Sequence, residues 1–371
     1  MAVVAVLGAS NGGLTTAADL TLAGHTVRWW SRSPEPLSAV SAAGGITIDS
    51  DGERRRTLPA LVTDDLAAAV TGAEVIVAPL PATSHEDLAP RLAPLLTDRQ
   101  IVLLAPGTLG AYALARGIVH ADGRLPFAIA ETATLPYLTR KSGPAEVRVA
   151  VRATHLPVGV FPALRTEAAL ASLAALYPAV RPCVNALDAA LMNAGPVIHP
   201  PLVLLNAGAI DRGRFDVHVA GTTATIRRLI DAVDAERVAA RVGWGFGPPH
   251  YDLSTYYDEA RAAEGFYGVE ARARVAESRI FDETLGFDHR YVTEDVVLGL
   301  ALFESAARTV GVDTPAITGL LEVFGVLLHR KLSGAGRALE RLGLGDFSLR
   351  EIRGLLREGW TSPDWARAIR S

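Results

Sequence analysis

The 371-residue sequence predicts an α/β chain, with a doubly wound, mostly parallel sheet in its N-terminal half and an all-α C-terminal half. Three observations predict it. Short, continuous apolar runs alternate with helical patterns between Ala2 and Ala105, a glycine-rich loop follows the first of them, and helical periodicity dominates from Asn185 onward while strand signals nearly vanish. Continuous apolar strands separated by helices imply a parallel sheet covered on both faces. The length exceeds what one hydrophobic core usually serves, so two domains are expected, 1–184 and 185–371.

The elements follow in order. Ala2–Leu7 is a β-branched run and the first strand, Asn11–Ala23 a helix, and Thr26–Ser31 a second strand. Val75–Pro79 and Ile101–Ala105 are further short buried strands, with a helical stretch over Glu86–Leu96 between them. Ala128–Glu131 and Val147–Val151 are expected to extend the same sheet. Beyond the boundary, Thr222–Val242, Glu294–Val310 and Ala316–Lys331 carry helical periodicity, and Leu344–Ser371 reads as a short helical cap.

Hydrophobic content of 49%, charged content of 20% and a net charge of −4 suit a globular enzyme and give no electrostatic case for nucleic acid or an anionic membrane. The single cysteine, Cys183, excludes an internal disulfide, fits a reducing compartment and reads as a small buried apolar residue. Ala2–Leu7 lacks a basic lead and runs straight into glycines, so it reads as a strand rather than a signal peptide. No stretch reaches the roughly 20 apolar residues of a membrane span. The expectation is a cytoplasmic homodimer acting on small molecules, with no metal.

Gly8-Ala9-Ser10-Asn11-Gly12-Gly13 follows a buried strand and opens a helix, the context a dinucleotide fingerprint needs. Gly8 allows the tight turn, Gly13 lets the helix pack close to the sheet, and the free N–H groups of the helix start face a pyrophosphate. Ser10 stands where the second glycine usually sits, and its hydroxyl is a candidate phosphate donor. An NAD site usually carries an acid after the second strand. Here Trp30-Ser31-Arg32-Ser33 offers an arginine and two hydroxyls, with no carboxylate until Glu35. That favours NADP over NAD, with Arg32 clamping the 2′-phosphate. The loops Pro79–His85 and Pro106–Thr108 follow later strands, which places Pro81 and Thr108 near the nicotinamide half, while His85 reads as a helix-start residue.

Proton chemistry points elsewhere. Asn193–Pro201 lies between apolar segments that would otherwise read as helix, Ala186–Met192 and Leu202–Ala209, and three prolines and a glycine break the pattern around a lone His199. The break is expected to turn the imidazole out of helix packing. A second segment, His289–Asp295, precedes an apolar helix, with Thr293 as N-cap and Glu294 and Asp295 in the first turn. Acids there are also expected from the helix dipole alone, so capping and a histidine–carboxylate pair both stand at this point. Arg290 offers a fork for a carboxylate. The aromatic segment Gly247–Gly268, with Tyr251, Tyr256, Tyr257 and Phe266–Tyr267 as candidates to read a substrate side chain, is long enough for a lid, though packing under a loop explains its aromatics equally well.

These residues resemble the opine dehydrogenases of octopine, nopaline and N-(carboxyethyl)norvaline type. The resemblance covers nearly the whole chain: the Gly8–Gly13 loop, the segment Ala130–Tyr137, Asn193–Pro201 and Arg290–Asp295, of which the last two are the specific ones. It implies a Rossmann domain and an all-helical domain with the active site between them. It also implies a His–Asp dyad at His199 and Asp295 and a carboxylate-binding arginine at Arg290. The implied chemistry is reductive condensation of an amino acid or amine with a 2-oxo acid through an imine reduced by hydride. Alternatives are an imine reductase or amine dehydrogenase-like enzyme, and a 2-oxo acid reductase of ketopantoate type. The latter more often relies on a lysine, which neither catalytic segment contains. A non-catalytic NADP sensor is disfavoured by the intact His199 and Arg290–Asp295.

Overall fold

A computed structural model describes residues 1–213, 215–278, 280 and 285–370. Twelve strands precede the helical half: β1 (Val3–Leu7), β2 (Thr26–Trp30), β3 (Ile46–Ser50), β4 (Glu53–Thr57), β5 (Leu61–Thr63), β6 (Val75–Ala78), β7 (Ile101–Leu104), β8 (Ala128–Thr132), β9 (Tyr137–Gly143), β10 (Glu146–Arg152), β11 (Leu156–Phe161) and β12 (Val180–Pro182). Eight form one sheet in the order β12-β11-β8-β7-β6-β1-β2-β5, parallel throughout except where β11 runs against β8. The apolar runs expected as strands are its central members. They are buried on both faces, as a doubly wound sheet requires. The order reverses between β1 and β6, so a crevice opens beyond their carboxyl ends, where such folds bind ligands.

One expected strand lies elsewhere. Val147–Val151 falls in β10 of a separate four-stranded sheet, β4-β3-β10-β9, and does not extend the main sheet. This small sheet packs on the helix Asn11–Leu22 through polar ties: Thr15 to Thr139 at 2.8 Å, Tyr137 Oη to Asp19 at 2.9 Å, and the Asn11 side chain accepting from the Lys141 N–H at 3.0 Å. Its hairpin turns on Asp51-Gly52, both at positive φ (55° and 79°), the geometry that favours Asp-Gly at a two-residue turn.

After Pro182 no strand occurs among the described residues. The expected long helices form over Ala224–Gly243, Ala301–Thr309 and Pro315–Leu327. Buried arginines organise their interior. Arg237 pairs with Asp234 at 2.7 Å and donates to the carbonyls of Leu191 and His250, and Arg241 pairs with Asp188 at 2.8 Å. Buried charge is costly unless its hydrogen bonds are met, as they are for Arg237, whereas Arg241 Nε and Nη1 have no partner among the described residues. The C-terminal segment folds back on the first half, where Trp360 and Trp365 pack on Phe161 with centroids 5.6 and 5.8 Å away. One continuous core therefore runs from the central sheet into the helices.

Two local expectations are corrected. The prolines around His199 do not break the helix, which runs Gly195–Leu205 with His199 inside it. Pro196 sits in the first turn, where a missing N–H costs little, and burial of Val197, Pro200, Pro201, Leu202 and Val203 outweighs the interior prolines. The interruption lies before it, at Leu191–Ala194. Nor is Thr293 an N-cap. The helix Arg290–Thr293 is capped by His289, whose Nδ1 accepts from the Tyr291 N–H, and Asp295–Leu300 continues as a π-helical segment.

Candidate active site

The glycine loop has the shape its sequence predicts. Gly8 has φ +106°, and a Cβ there would lie 2.6 Å from Leu80 Cδ2. A Cβ on Gly13 would lie 2.1 Å from the Gly8 carbonyl oxygen, so only glycine lets the helix start so close to the strand end. Ser10 differs from expectation. Its hydroxyl accepts from the Gly13 N–H at 3.1 Å and donates to the Pro79 carbonyl at 3.0 Å, bridging the two strand ends of the switch point rather than pointing to a phosphate. Beside this loop lies a cavity of about 310 Å³ whose lining includes Gly8, Trp30, Ser31, Arg32, Ser33 and Arg91. Ser31 is buried and its hydroxyl accepts from the Ser33 N–H at 3.2 Å, while Arg32 and Ser33 are exposed at the rim. Arg91, which sequence reasoning missed, lays its guanidinium over Trp30, 4.8 Å from the ring centroid. Arg32 and Arg91 thus place two cations, with Asp87 beside them, in a cavity next to the glycine loop.

The loops after β6 and β7 form the adjoining edge. Pro81 leads into the short turn Ala82–Ser84, and His85 opens the helix His85–Leu92 as expected. His85 is fully buried, and burial together with the Arg337 charge holds its imidazole well below the usual histidine range, so it is neutral. Thr108 is buried at φ +54°, and its hydroxyl accepts from the Asn193 amide at 3.3 Å. Glu131 closes the loop from below, accepting from the Leu109 and Ala111 N–H groups at 2.8 and 2.7 Å. Burial pushes its carboxyl up to about 7. Arg337, from the C-terminal segment, donates to the carbonyls of Gly107, Thr108 and Ala82 at 2.9, 3.0 and 2.7 Å. Glu131, which lies in the Ala130–Tyr137 segment, and Arg337, which carries no sequence signal, are framework residues of this edge whose roles were not read from the sequence.

The two catalytic segments meet. His199 Nδ1 lies 2.7 Å from Asp295 Oδ2, with the histidine side chain 18% exposed and the aspartate 5%. Two glycines permit the approach. A Cβ on Gly195 would sit 2.5 Å from Asp295 Oδ1, and one on Gly299 would sit 2.2 Å from Pro196 Cγ. The π-helical segment carrying Asp295 thus presses against the start of the helix carrying His199, and such irregular turns are frequent at functional sites. Arg290 lies one turn before Asp295 with its side chain 41% exposed, and its Nη2 is 3.1 Å from Glu294 Oε2. Glu294 is buried, which raises its carboxyl, and its other oxygen accepts from the Ala82 N–H at 2.8 Å. The arrangement holds one nitrogen of an imidazole on a carboxylate and leaves the other to exchange a proton, with a guanidinium nearby.

Tyr256 and Tyr257 are half-buried on the short helix Ser254–Tyr257, edge to face with centroids 5.3 Å apart, and the Arg227 guanidinium lies 4.5 Å from the centre of Tyr257. Neither lines the larger cavity, of about 840 Å³, which is bounded by His155, Arg181, Met192, Tyr251, Asp252 and Arg261 among others. That cavity lies at the start of β11, on the same edge of the sheet as the end of β8. Cys183 is buried, and burial pushes its thiol well up. Among the described residues no group of three or more His, Cys, Asp or Glu is placed to hold a metal ion, and no helix is long and apolar enough to cross a membrane.

The profile of the NAD/NADP octopine/nopaline dehydrogenase alpha-helical domain matches residues 182–328, and that of ketopantoate reductase PanE/ApbA matches residues 4–151. The chain is 29% identical to an opine dehydrogenase of Arthrobacter sp. (strain 1C) over 350 residues, 94% of this chain and 97% of that protein. It is 26% identical to a vitopine synthase of Allorhizobium ampelinum, over 93% of this chain and 96% of the relative. Among solved structures, an octopine dehydrogenase in complex with NADH and agmatine superposes with a TM-score of 0.70 at 18% identity, covering 95% of this chain and 97% of the other. A yersinopine dehydrogenase with NADP+ bound gives 0.65 at 14% identity, over 96% and 98%.

Proposed function

We propose that the chain is an NAD(P)-dependent oxidoreductase of opine dehydrogenase type, acting on CH–NH bonds, which condenses an amine or amino acid with a 2-oxo acid and reduces the resulting imine. The observation that carries this reading is the 2.7 Å contact between His199 Nδ1 and Asp295 Oδ2. A bound nicotinamide cofactor supplies the hydride. Asp295 fixes the neutral imidazole with its proton on Nδ1, which leaves Nε2 to take a proton from the amine or to return one at the carbonyl or imine centre. The same carboxylate stabilises the imidazolium form between those transfers. Arg290 anchors the oxo-acid carboxylate, held in orientation by Glu294. Burial of Asp295 and Glu294 strengthens their own contacts with His199 and Arg290.

For the cofactor, Ser31, Arg32 and Ser33 after β2, where an NAD site usually carries an acid, support NADP over NAD, although Asp87 from the helix after β6 also lines this cavity. The segment Pro248–Glu264 lines the larger cavity on the ligand edge, which supports it as the reader of the amine side chain, with Tyr251 rather than Tyr256 or Tyr257 facing that space. The ketopantoate reductase profile matches residues 4–151 alone, whereas the octopine/nopaline dehydrogenase profile spans 182–328, the stretch that holds His199, Arg290 and Asp295. The test is a spectrophotometric screen of NADPH and NADH oxidation with pyruvate, glyoxylate, 2-oxoglutarate and cyclic ketones, each against a panel of amines. Oxidation that requires both a 2-oxo acid and an amine supports the reading. Oxidation by an oxo acid alone, or by cyclic ketones with simple amines, replaces it with the reductase or imine reductase alternative.

A further inference from the structure

His199 does not rest on Asp295 alone. The Tyr291 ring lies face to face with its imidazole, centroids 3.5 Å apart and planes at 11°. The Tyr291 hydroxyl is 2.9 Å from His218 Nε2. The His218 ring stands edge-on to both, 5.8 Å from His199 at 85° and 5.6 Å from Tyr291 at 86°. His289 meets the far part of the same tyrosine edge-on, centroids 4.4 Å apart. The backbone of His218 is itself fastened: its N–H donates to Asp216 Oδ1 at 2.9 Å, and its carbonyl accepts from the Thr222 hydroxyl at 2.8 Å. A loop secured in this way presents one imidazole to one phenol, which in turn backs the imidazole paired with Asp295.

We infer that Tyr291 and His218 are positioning residues for His199, the phenol ring fixing the imidazole plane and supporting its protonated form while His218 sets the polarity of that ring. This rests on the reading of His199 as proton carrier. A ring stacked at 3.5 Å hinders rotation of the imidazole about its side-chain bond, a turn that would put Cδ2 where Nδ1 now faces Asp295. A cation over an aromatic face is stabilised by the ring's negative π cloud. While His218 is neutral it can accept the phenolic proton, which enriches that cloud. Once His218 is protonated it must donate to the phenol oxygen instead, which depletes the cloud and sets a second positive charge 5.8 Å from His199. The titratable groups against His199 are Asp295, Tyr291 and His218; around them, Glu294 pairs with Arg290 beside Asp295, and His289 packs on Tyr291.

The experiment uses the full chain with histidine ring nitrogens labelled with 15N and compares wild type with Tyr291→Phe, Tyr291→Leu and His218→Gln. Two readouts are taken: the His199 ring signals without substrate, and the pH profile of kcat. Tyr291→Leu should convert the His199 signals from one tautomer to an averaged pair and lower kcat about 10- to 100-fold, the usual range for removing a group that orients a functional histidine. Tyr291→Phe should keep the single tautomer, and both it and His218→Gln should displace the acidic limb of the profile. Unchanged His199 signals in Tyr291→Leu, or an acidic limb that no variant moves, overturns the inference. If Tyr291→Leu does not fold, the other two variants still decide it through the acidic limb. Should His199→Ala keep full turnover, the proton-carrier reading fails, while the ring signals separately report whether Tyr291 orients His199.

Discussion

The Ala82 N–H donates to Glu294 Oε1 at 2.8 Å, tying the loop after β6 to the residue next to Asp295 across 212 positions of sequence. Arg337 grips the same Ala82 by its carbonyl. The cofactor edge and the dyad are therefore one framework, and a change at Glu294 should be felt as stability as well as rate. Glu294→Ala leaves a buried N–H without its acceptor and should cost about 1–3 kcal/mol in urea unfolding. Glu294→Gln, which keeps an acceptor oxygen, should cost clearly less. Equal losses in the two variants would show that the Ala82 bond is not what matters.

Gly195 lets the dyad close. A methyl group there would overlap Asp295 Oδ1 at 2.5 Å, so Gly195→Ala must displace either the carboxylate or the helix start. The expected outcome is a fall in kcat of tenfold or more on the scale of about 1.4 kcal/mol, with cofactor affinity unchanged, since the glycine loop lies elsewhere. Steady-state kinetics with a separate cofactor titration checks it.

Glu131 gives stability a pH dependence of known sign. Its carboxyl is raised from 4.5 to about 7 because burial disfavours the charge. The folded protein therefore holds a proton there that the unfolded chain has already lost between those values. Stability from this group is full below about 4.5, falls as pH climbs toward 7 and is flat above, on the order of 3 kcal/mol in all. Unfolding free energies of wild type minus Glu131→Gln should fall across that window. A difference that rises with pH would contradict the assignment.

Arg32→Ala should weaken NADPH binding while leaving NADH nearly unaffected if, as proposed, the guanidinium meets the 2′-phosphate alone. Fluorescence titration with both cofactors measures it. Equal weakening of the two would assign Arg32 to the adenine or the pyrophosphate instead.

The central strands and the glycine loop were legible because each is specified locally: a buried parallel strand is a continuous apolar run, and Gly8 and Gly13 occupy positions that only glycine fits. The edge strands were not. β4 reads Glu-Arg-Arg-Arg-Thr, exposed on both faces, and its one signal was the Asp51-Gly52 turn. The helix around His199 was misread because local propensity counted the prolines and could not count the burial that holds them. Within the site, motifs found His199, Arg290 and Asp295. Glu131, His218 and Arg337 act through distant contacts that no spacing announces, at separations such as the 229 residues from Arg337 to Thr108.

The central claim is that His199, oriented by Asp295, moves the protons of the reaction. The most direct measurement is turnover of His199→Ala under saturating substrates, alongside its dissociation constant for NADPH. The account predicts a loss of about 10²- to 10⁴-fold in kcat with NADPH affinity within a few-fold of wild type. Turnover at the wild-type level with weakened cofactor binding would contradict it.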